Sequence, residues 1–339
     1  MKGIPAQLSW GARRPACAAL LFLLPLCCSC TGNPPGSSQP ATRARITAAS
    51  GVRLRSAPSG SADEVAKLPL GVVVRELEQS SNKEQVGGVE DYWYRVSTSE
   101  GREGWLFGGF TAPFEPDRKA EIYRRIADER LKAQDATFAD YADLVRFLTD
   151  AVAEVTQPEA RAELELARLL AMRRAAEEIP MEKQQEPPYQ EWIAANEESI
   201  VYNEPAGQWL VRSDLFWDLQ KQYSALPIAE RIAWEGAKNG LPGECEGYFP
   251  CYLGGFNLTM GKYLDLYPNG AHADEAINEL IESLTLLLPA LKSGDAPDDM
   301  ERNEARKELD TLRKILSKTD GPKKDTALKL LEEAQKHYS

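Results

Sequence analysis

The chain has 339 residues, 43% hydrophobic and 27% charged, an ordinary globular composition with length for about two domains. Its formal charge is −12 at pH 7, which argues against a nucleic-acid partner and against attraction to anionic lipid surfaces. Only His272 and His337 are available for histidine-based catalysis, and no glycine-rich phosphate loop occurs, so most enzyme classes lack their usual residues.

In chain order, the first 29 residues stand apart. Lys2, Arg13 and Arg14 precede an uncharged run from Pro15 through Leu26 that ends in small residues and cysteines, the tripartite pattern of an export signal. A membrane-spanning helix needs about 20 apolar residues and this run is shorter, so a cleaved signal is expected. Its removal takes away three basic and no acidic residues and brings the formal charge from −12 to −15. The segment Leu26-Cys27-Cys28-Ser29-Cys30-Thr31-Gly32-Asn33 resembles a bacterial lipobox, in which a small residue precedes the lipidated cysteine. Cys30 fits best because Ser29 precedes it, although Cys27 stands where the family prefers Leu; Cys27 and Cys28 are the alternatives. The resemblance implies a lipid-anchored protein of the cell envelope. If the cell is Gram-negative, Thr31 rather than Asp after the cysteine implies the outer membrane, facing the periplasm. Each buried methylene contributes about 0.8 kcal/mol, so several acyl chains together hold a protein on a membrane. Residues 30–42 read as a flexible tether, a span on the order of 20 Å.

From residue 43 to 115, short β-type runs alternate with turn residues: Val52–Arg55, Val72–Leu77, Tyr92–Val96 and Gly104–Leu106, punctuated by Ser-Ala-Pro-Ser-Gly at 56–60, Pro69-Leu70-Gly71 and Ser99–Arg102. About five short strands in some 70 residues must hide their edges, which predicts a small barrel. Gly51–Ser59, Leu68-Pro69-Leu70-Gly71, Trp93-Tyr94-Arg95-Val96 and Gly101–Leu106 resemble, in order and spacing, a bacterial SH3 domain. The stretch Ser80–Asp91 is longer than a tight hairpin needs and reads as an inserted loop beside any ligand groove. The expected contacts in such a groove are Arg55, Tyr92, Tyr94, Phe107 and Phe110, because exposed aromatic rings can stack on a peptide or a sugar face. Tyr92 and Tyr94 flank Trp93, so period two puts them on one face and Trp93 on the other. Trp93 is the larger apolar side chain, which places it in the core and the tyrosines towards the groove.

After Pro116 the period becomes helical. Phe138, Tyr141, Leu144, Val145, Leu148 and Val152 recur at three- and four-residue intervals, as do Ile277, Leu280, Ile281, Leu284, Leu287 and Leu288. Further helices are predicted at about 117–134, 158–178, 213–223, 227–239, 252–267, 299–318 and 323–337. Pro180 and Pro187-Pro188 divide the region 116–339 into two blocks, 116–180 and 188–339. Tyr263–Ala276 resembles the helix-turn-helix junction of tetratricopeptide-like repeats in envelope lipoproteins, and the likeness extends over about 252–289. No clean period of 34 residues recurs elsewhere, so a regular solenoid is not expected. The fold class that follows is multidomain α and β: a small SH3-like β-barrel, then an all-α helical domain that is repeat-like in part.

Beyond the anchor cysteine only Cys245 and Cys251 remain, and such a pair in an exported chain is read first as a disulfide. Too few ligands accompany it for a metal site, and no cofactor is expected. Glu198-Ser199 with Tyr202–Ala206 is faintly similar to the start of lytic transglycosylases, in which a buried Glu serves as general acid. The later Gly-Leu-Met-Gln segment of that family is absent. No catalytic residue is therefore assigned, and the expectation is a non-enzymatic binding protein. Its SH3-like domain would take a peptidoglycan stem peptide or an envelope protein segment, its helices would contact an envelope partner, and the lipid would hold it to the membrane. The alternatives are a pure scaffold using the helices and a peptidoglycan-cleaving enzyme.

Overall fold

Alternation of apolar and polar residues builds the N-terminal region, as β2 illustrates: Val52 and Leu54 are buried while Arg53 is exposed. The computed structural model describes residues 43–293 and 296–339, so the export signal, Cys30 and the tether lie outside the described residues. Strands β1 (Ala44–Thr47), β2 (Val52–Arg55), β3 (Glu64–Leu68), β4 (Val73–Val86), β5 (Val89–Ser97), β6 (Glu103–Phe107) and β7 (Thr111–Phe114) form one curled antiparallel sheet in the order β3-β2-β6-β5-β4-β1-β7. Its two edge strands are β3 and β7, and the small barrel expected from the sequence takes the form of a half-barrel. Inside the curl lie Val52, Leu54, Leu68, Val74, Val96 and Leu106. Gly104 on β6 has to be glycine, because a Cβ there would sit 2.7 Å from Leu54 Cγ and 2.8 Å from the Arg55 carbonyl oxygen.

The stretch 80–91 is not the loop expected from the sequence. β4 and β5 continue through it as a two-stranded arm whose ladder reaches Val86 opposite Val89, with register shifts between Glu76 and Glu78 and between Gln79 and Lys83. Bulges absorb extra residues without ending a ladder. Gly87 and Gly88, both at positive φ, close the tip.

Eleven helices follow among the described residues: α1 (Lys119–Leu131), α2 (Phe138–Glu154), α3 (Pro158–Glu177), α4 (Tyr189–Ala195), α5 (Ser213–Gln222), α6 (Ala229–Ala237), α7 (Phe249–Leu258), α8 (Met260–Leu266), α9 (Ala273–Ser293), α10 (Asp299–Lys318) and α11 (Lys324–His337). Their boundaries have local causes. Asp140 accepts from both the backbone N–H and the hydroxyl of Thr137 at the start of α2, Pro158 opens α3, and Asp298 accepts from the Glu301 N–H at the start of α10. None of the described helices is long and apolar enough to cross a membrane.

Three departures from the sequence expectation occur in the region after Pro116, the first being the short helix α4 at Tyr189–Ala195, which the sequence did not predict. The single helix expected at 252–267 is broken at Thr259, whose backbone leaves helical space (φ −115°, ψ −100°) and whose hydroxyl donates to the Gly255 carbonyl at 2.8 Å. The block 188–339 is also not wholly helical. Strands β8 (Ile200–Asn203) and β9 (Gln208–Val211) form a hairpin turned at Gly207, with Ile200 and Val211 buried.

The sheet and the first helices share a core. Ile46, Leu70 and Ala112 pack in one cluster with Ile122, Ile126, Leu144, Phe147 and Leu148. The turn between β3 and β4 is fastened to α2: Asp143 accepts from the Leu70 N–H at 2.8 Å, and Arg146 donates to the Leu70 carbonyl at 2.9 Å. Gly71, at φ +88°, passes so close to the Phe147 ring that any Cβ would collide with it. A second core lies among α5–α11 and contains Trp234, Tyr263, Leu280, Leu309, Leu331 and Tyr338. Within it the fully buried Tyr263 donates to Glu230 at 2.9 Å and accepts from the His272 N–H at 3.0 Å, and burial holds its pKa above the usual phenol range. Cys245 and Cys251 are joined in the loop that leads into α7.

Candidate functional site

The turn after β1, the start of β2, the end of the β4–β5 arm and the segment after β6 meet around a cleft of about 230 Å³. Its apolar wall is a run of three aromatic rings: Trp93 meets Phe107 edge-on at 5.4 Å, and Phe107 meets Phe110 edge-on at 5.4 Å. Edge-to-face contact is the arrangement aromatic quadrupoles favour, so the wall is stiff. Arg53 and Arg55 stand at the other side. Each is positioned by a neighbour: Arg53 pairs with Glu64 at 3.2 Å, and Arg55 donates to the Ala62 carbonyl at 2.5 Å.

Glu84 locks the cleft together. One of its oxygens accepts from the Trp93 indole N–H at 2.6 Å, and the Gly60 N–H approaches its two oxygens at 3.2 and 3.3 Å. A single carboxylate on the arm thereby fixes both the tryptophan and the loop between β2 and β3. Ser50 lines the same cleft, and its hydroxyl is buried with no hydrogen-bond partner. Buried polar groups are nearly always paired, so this unpaired hydroxyl in the cleft wall is an exception among the described residues.

Three of the five contacts expected from the sequence, Arg55, Phe107 and Phe110, line this cleft. Phe107 was expected to be exposed and is only 2% so, because it sits between Trp93 and Phe110 and offers the cleft no more than part of its ring. Tyr92 and Tyr94 were expected to face the groove and do not line it. The alternation argument was right to put them opposite Trp93, also 2% exposed, but the cleft opens on the Trp93 side. On the other face the guanidinium of the buried Arg45 lies 3.6 Å from the Tyr94 ring centroid, and Lys83 lies 5.5 Å from that of Tyr92. Ser50, Arg53, Glu84 and the wall role of Trp93 were missed. The available signal was Ser50 immediately before the glycine that opens the SH3-like motif; Glu84 was hidden in what read as a loop.

The other sequence candidates sit apart from this cleft. Glu198 is exposed in the turn before β8, without the burial a general acid needs. His272 stacks on Trp234 with 4.3 Å between ring centroids, its Nδ1 3.1 Å from Glu275. His337 meets Tyr338 edge-on near the chain end.

Residues 50–112 match the bacterial SH3 domain family. No curated protein and no solved structure matches the chain.

Proposed function

We propose that this protein is a non-enzymatic binding protein of the cell envelope, whose SH3-like sheet takes an extended peptide, of the kind found in peptidoglycan stems, in the Trp93–Phe107–Phe110 cleft. The observation that carries this is an aromatic-walled cleft bordered by two arginines, with the unpaired hydroxyl of Ser50 buried in its wall. Aromatic rings supply apolar contact, the Ser50 hydroxyl supplies a directional bond once its side chain turns into the cleft, and the arginines favour a ligand bearing carboxylates. The helical region contacts a second, protein partner. An acyl group on Cys30 holds the chain to the membrane; labelling with a fatty-acid analogue should be lost in Cys30→Ser, and retained labelling would move the site to Cys27 or Cys28.

The cleft is tested by pelleting the full-length protein with purified sacculi. Phe110→Ala should weaken retention about tenfold, roughly 1.4 kcal/mol. Ser50→Ala should weaken it several-fold without lowering the melting temperature, because a buried unpaired hydroxyl itself costs about 1–3 kcal/mol. Retention unchanged in both variants would remove the cleft from the binding role. No retention of the unaltered protein would remove cell-wall peptide as its ligand.

A further inference from the structure

The second core leaves an apolar groove open between α7, the start of α8 and α9. Leu253, Leu280 and Leu284 form its floor and Tyr252, Phe256 and Leu287 its walls, around a volume of about 390 Å³. The surface beside it is apolar as well: Leu286 is 78% exposed, Leu258 60% and Tyr252 38%. A single exposed leucine is unremarkable, but several around one apolar groove mark an interaction surface.

The sequence of α7 sharpens this. From Tyr248 to Gly261 there is no charged residue, although this stretch includes an exposed helix face in a chain of net charge −12. Two adjacent glycines, Gly254 and Gly255, sit inside that helix, where glycine is less stable than alanine. Packing within the chain does not call for either: a Cβ on Gly255 would meet nothing within 4 Å, and one on Gly254 would only graze Glu308 at 4.0 Å. Gly255 lies one turn from both Tyr252 and Leu258, on the exposed side of α7. A smooth, uncharged helix surface that its own fold does not require fits close approach by something outside it.

The charge of the groove selects the visitor. Glu279 is the one charged side chain lining it, and among the described residues it has no ion-pair or hydrogen-bond partner. Glu282 on the next turn of α9 is paired only with the neutral amide of Asn278, and Glu244 and Glu246 stand exposed in the loop before α7. We infer that this groove docks an amphipathic helix of a partner protein, with a leucine-type apolar stripe against Leu253, Leu280 and Leu284 and with lysine or arginine beside the stripe facing Glu279. A groove between two helices takes a helix by inserting side chains spaced at three and four residues. Basic flanks opposite Glu279 set its orientation and disfavour acidic competitors. The inference rests on the reading that the helical region has a protein partner and is independent of the cleft in the sheet.

The probe is a fluorescein-labelled 18-residue helical peptide of leucine, alanine and lysine with one apolar stripe, titrated into the full-length protein and read by anisotropy. A second peptide with glutamate in place of lysine is the control. Saturable binding of the lysine peptide is expected, at least tenfold weaker for the glutamate peptide and at least tenfold weaker in Leu286→Arg. Gly255→Ala is the discriminating variant: it should keep or raise the melting temperature while weakening the peptide several-fold, the opposite of what a structural role predicts. Sacculi retention should be unchanged in both variants, which separates failure here from failure of the cleft. Equal binding of the two peptides, binding indifferent to Leu286→Arg, or no binding would overturn the inference. So would a dimer in sedimentation that Leu286→Arg dissolves, since the occupant would then be a second copy.

Discussion

The curled sheet and the C-terminal helices keep apolar surface from water in different ways, and the difference bears on how each carries its opening. The helices α5–α11 enclose a core of their own in which aromatic and leucine side chains from several elements interlock. The sheet gathers a cluster of six buried apolar side chains within its curl, and Ile46, Leu70 and Ala112 find cover in the core of α1–α3. A small sheet with two open edges buries too little to stand securely alone. Here the helices supply the missing layer, and Asp143 and Arg146 tie the Leu70 turn to α2. The cleft in the sheet is therefore held by a structure that depends on its neighbour, whereas the groove at α7–α9 lies on a core that is complete without it.

The strongest way to break that contrast is to empty the seam. Phe147 is buried, meets Tyr123 edge-on at 5.4 Å and fills the space beneath Gly71. Phe147→Ala should cost about 3–5 kcal/mol, the range for a truncated aromatic in a packed core. Hydrogen exchange should then quicken in β2 and β5 as well as in α2, because the strands lose their roof. If the strands keep full protection while α2 loosens, the sheet is self-sufficient and the contrast is wrong.

Much of this architecture was legible in the sequence, for reasons visible in particular residues. The helices announced themselves because leucines and alanines recur at three and four residues, and α10 lies where the pattern put it, at Asp299–Lys318. The change from β to helical character near Pro116 was equally plain. What escaped depended on distant contacts. The β8–β9 hairpin has only four residues per strand, and a short apolar run beside helical pattern carries too little periodicity to be told from a loop. The β4–β5 arm was hidden because Ser80–Asp91 reads as an inserted loop, while in the fold a bulge carries the ladder through it and Ser80 accepts from the Trp93 N–H. The cleft was half legible: Arg55, Phe107 and Phe110 line it as expected by residue type, but alternation yields two faces and not which of them borders an opening. Ser50 and Glu84 gain their roles only from partners, or the want of one, far along the chain.

A finer test concerns charge, by comparing one exposed ion pair on the sheet with one partly buried pair among the helices. Arg53 and Glu64 on the sheet are both well exposed, and such pairs contribute little. On α6, the Glu235 side chain is 15% exposed, accepting from Arg173 of α3 at 2.7 Å and from Lys238 at 3.0 Å. Burial is the largest single influence on its pKa and pushes it up. The hydrogen bonds and charges of Arg173 and Lys238 together outweigh burial and leave the pKa below the ordinary carboxylate value. A carboxylate with a depressed folded-state pKa stabilises the fold above its unfolded pKa, near 4.3, and that contribution is lost as pH falls through the folded value. Glu235→Gln should thus be less stable than the unaltered protein at pH 7, by roughly 0.5–1 kcal/mol after solvent screening, and the gap should close towards pH 3. Urea unfolding at the two pH values measures both. Glu64→Gln, which breaks an exposed pair, should change stability at pH 7 by less than Glu235→Gln does. A Glu235→Gln deficit that stays constant from pH 7 to pH 3 would mean that the residue acts through its shape and not through its charge, and the helical region would then owe nothing to this bridge between α3 and α6.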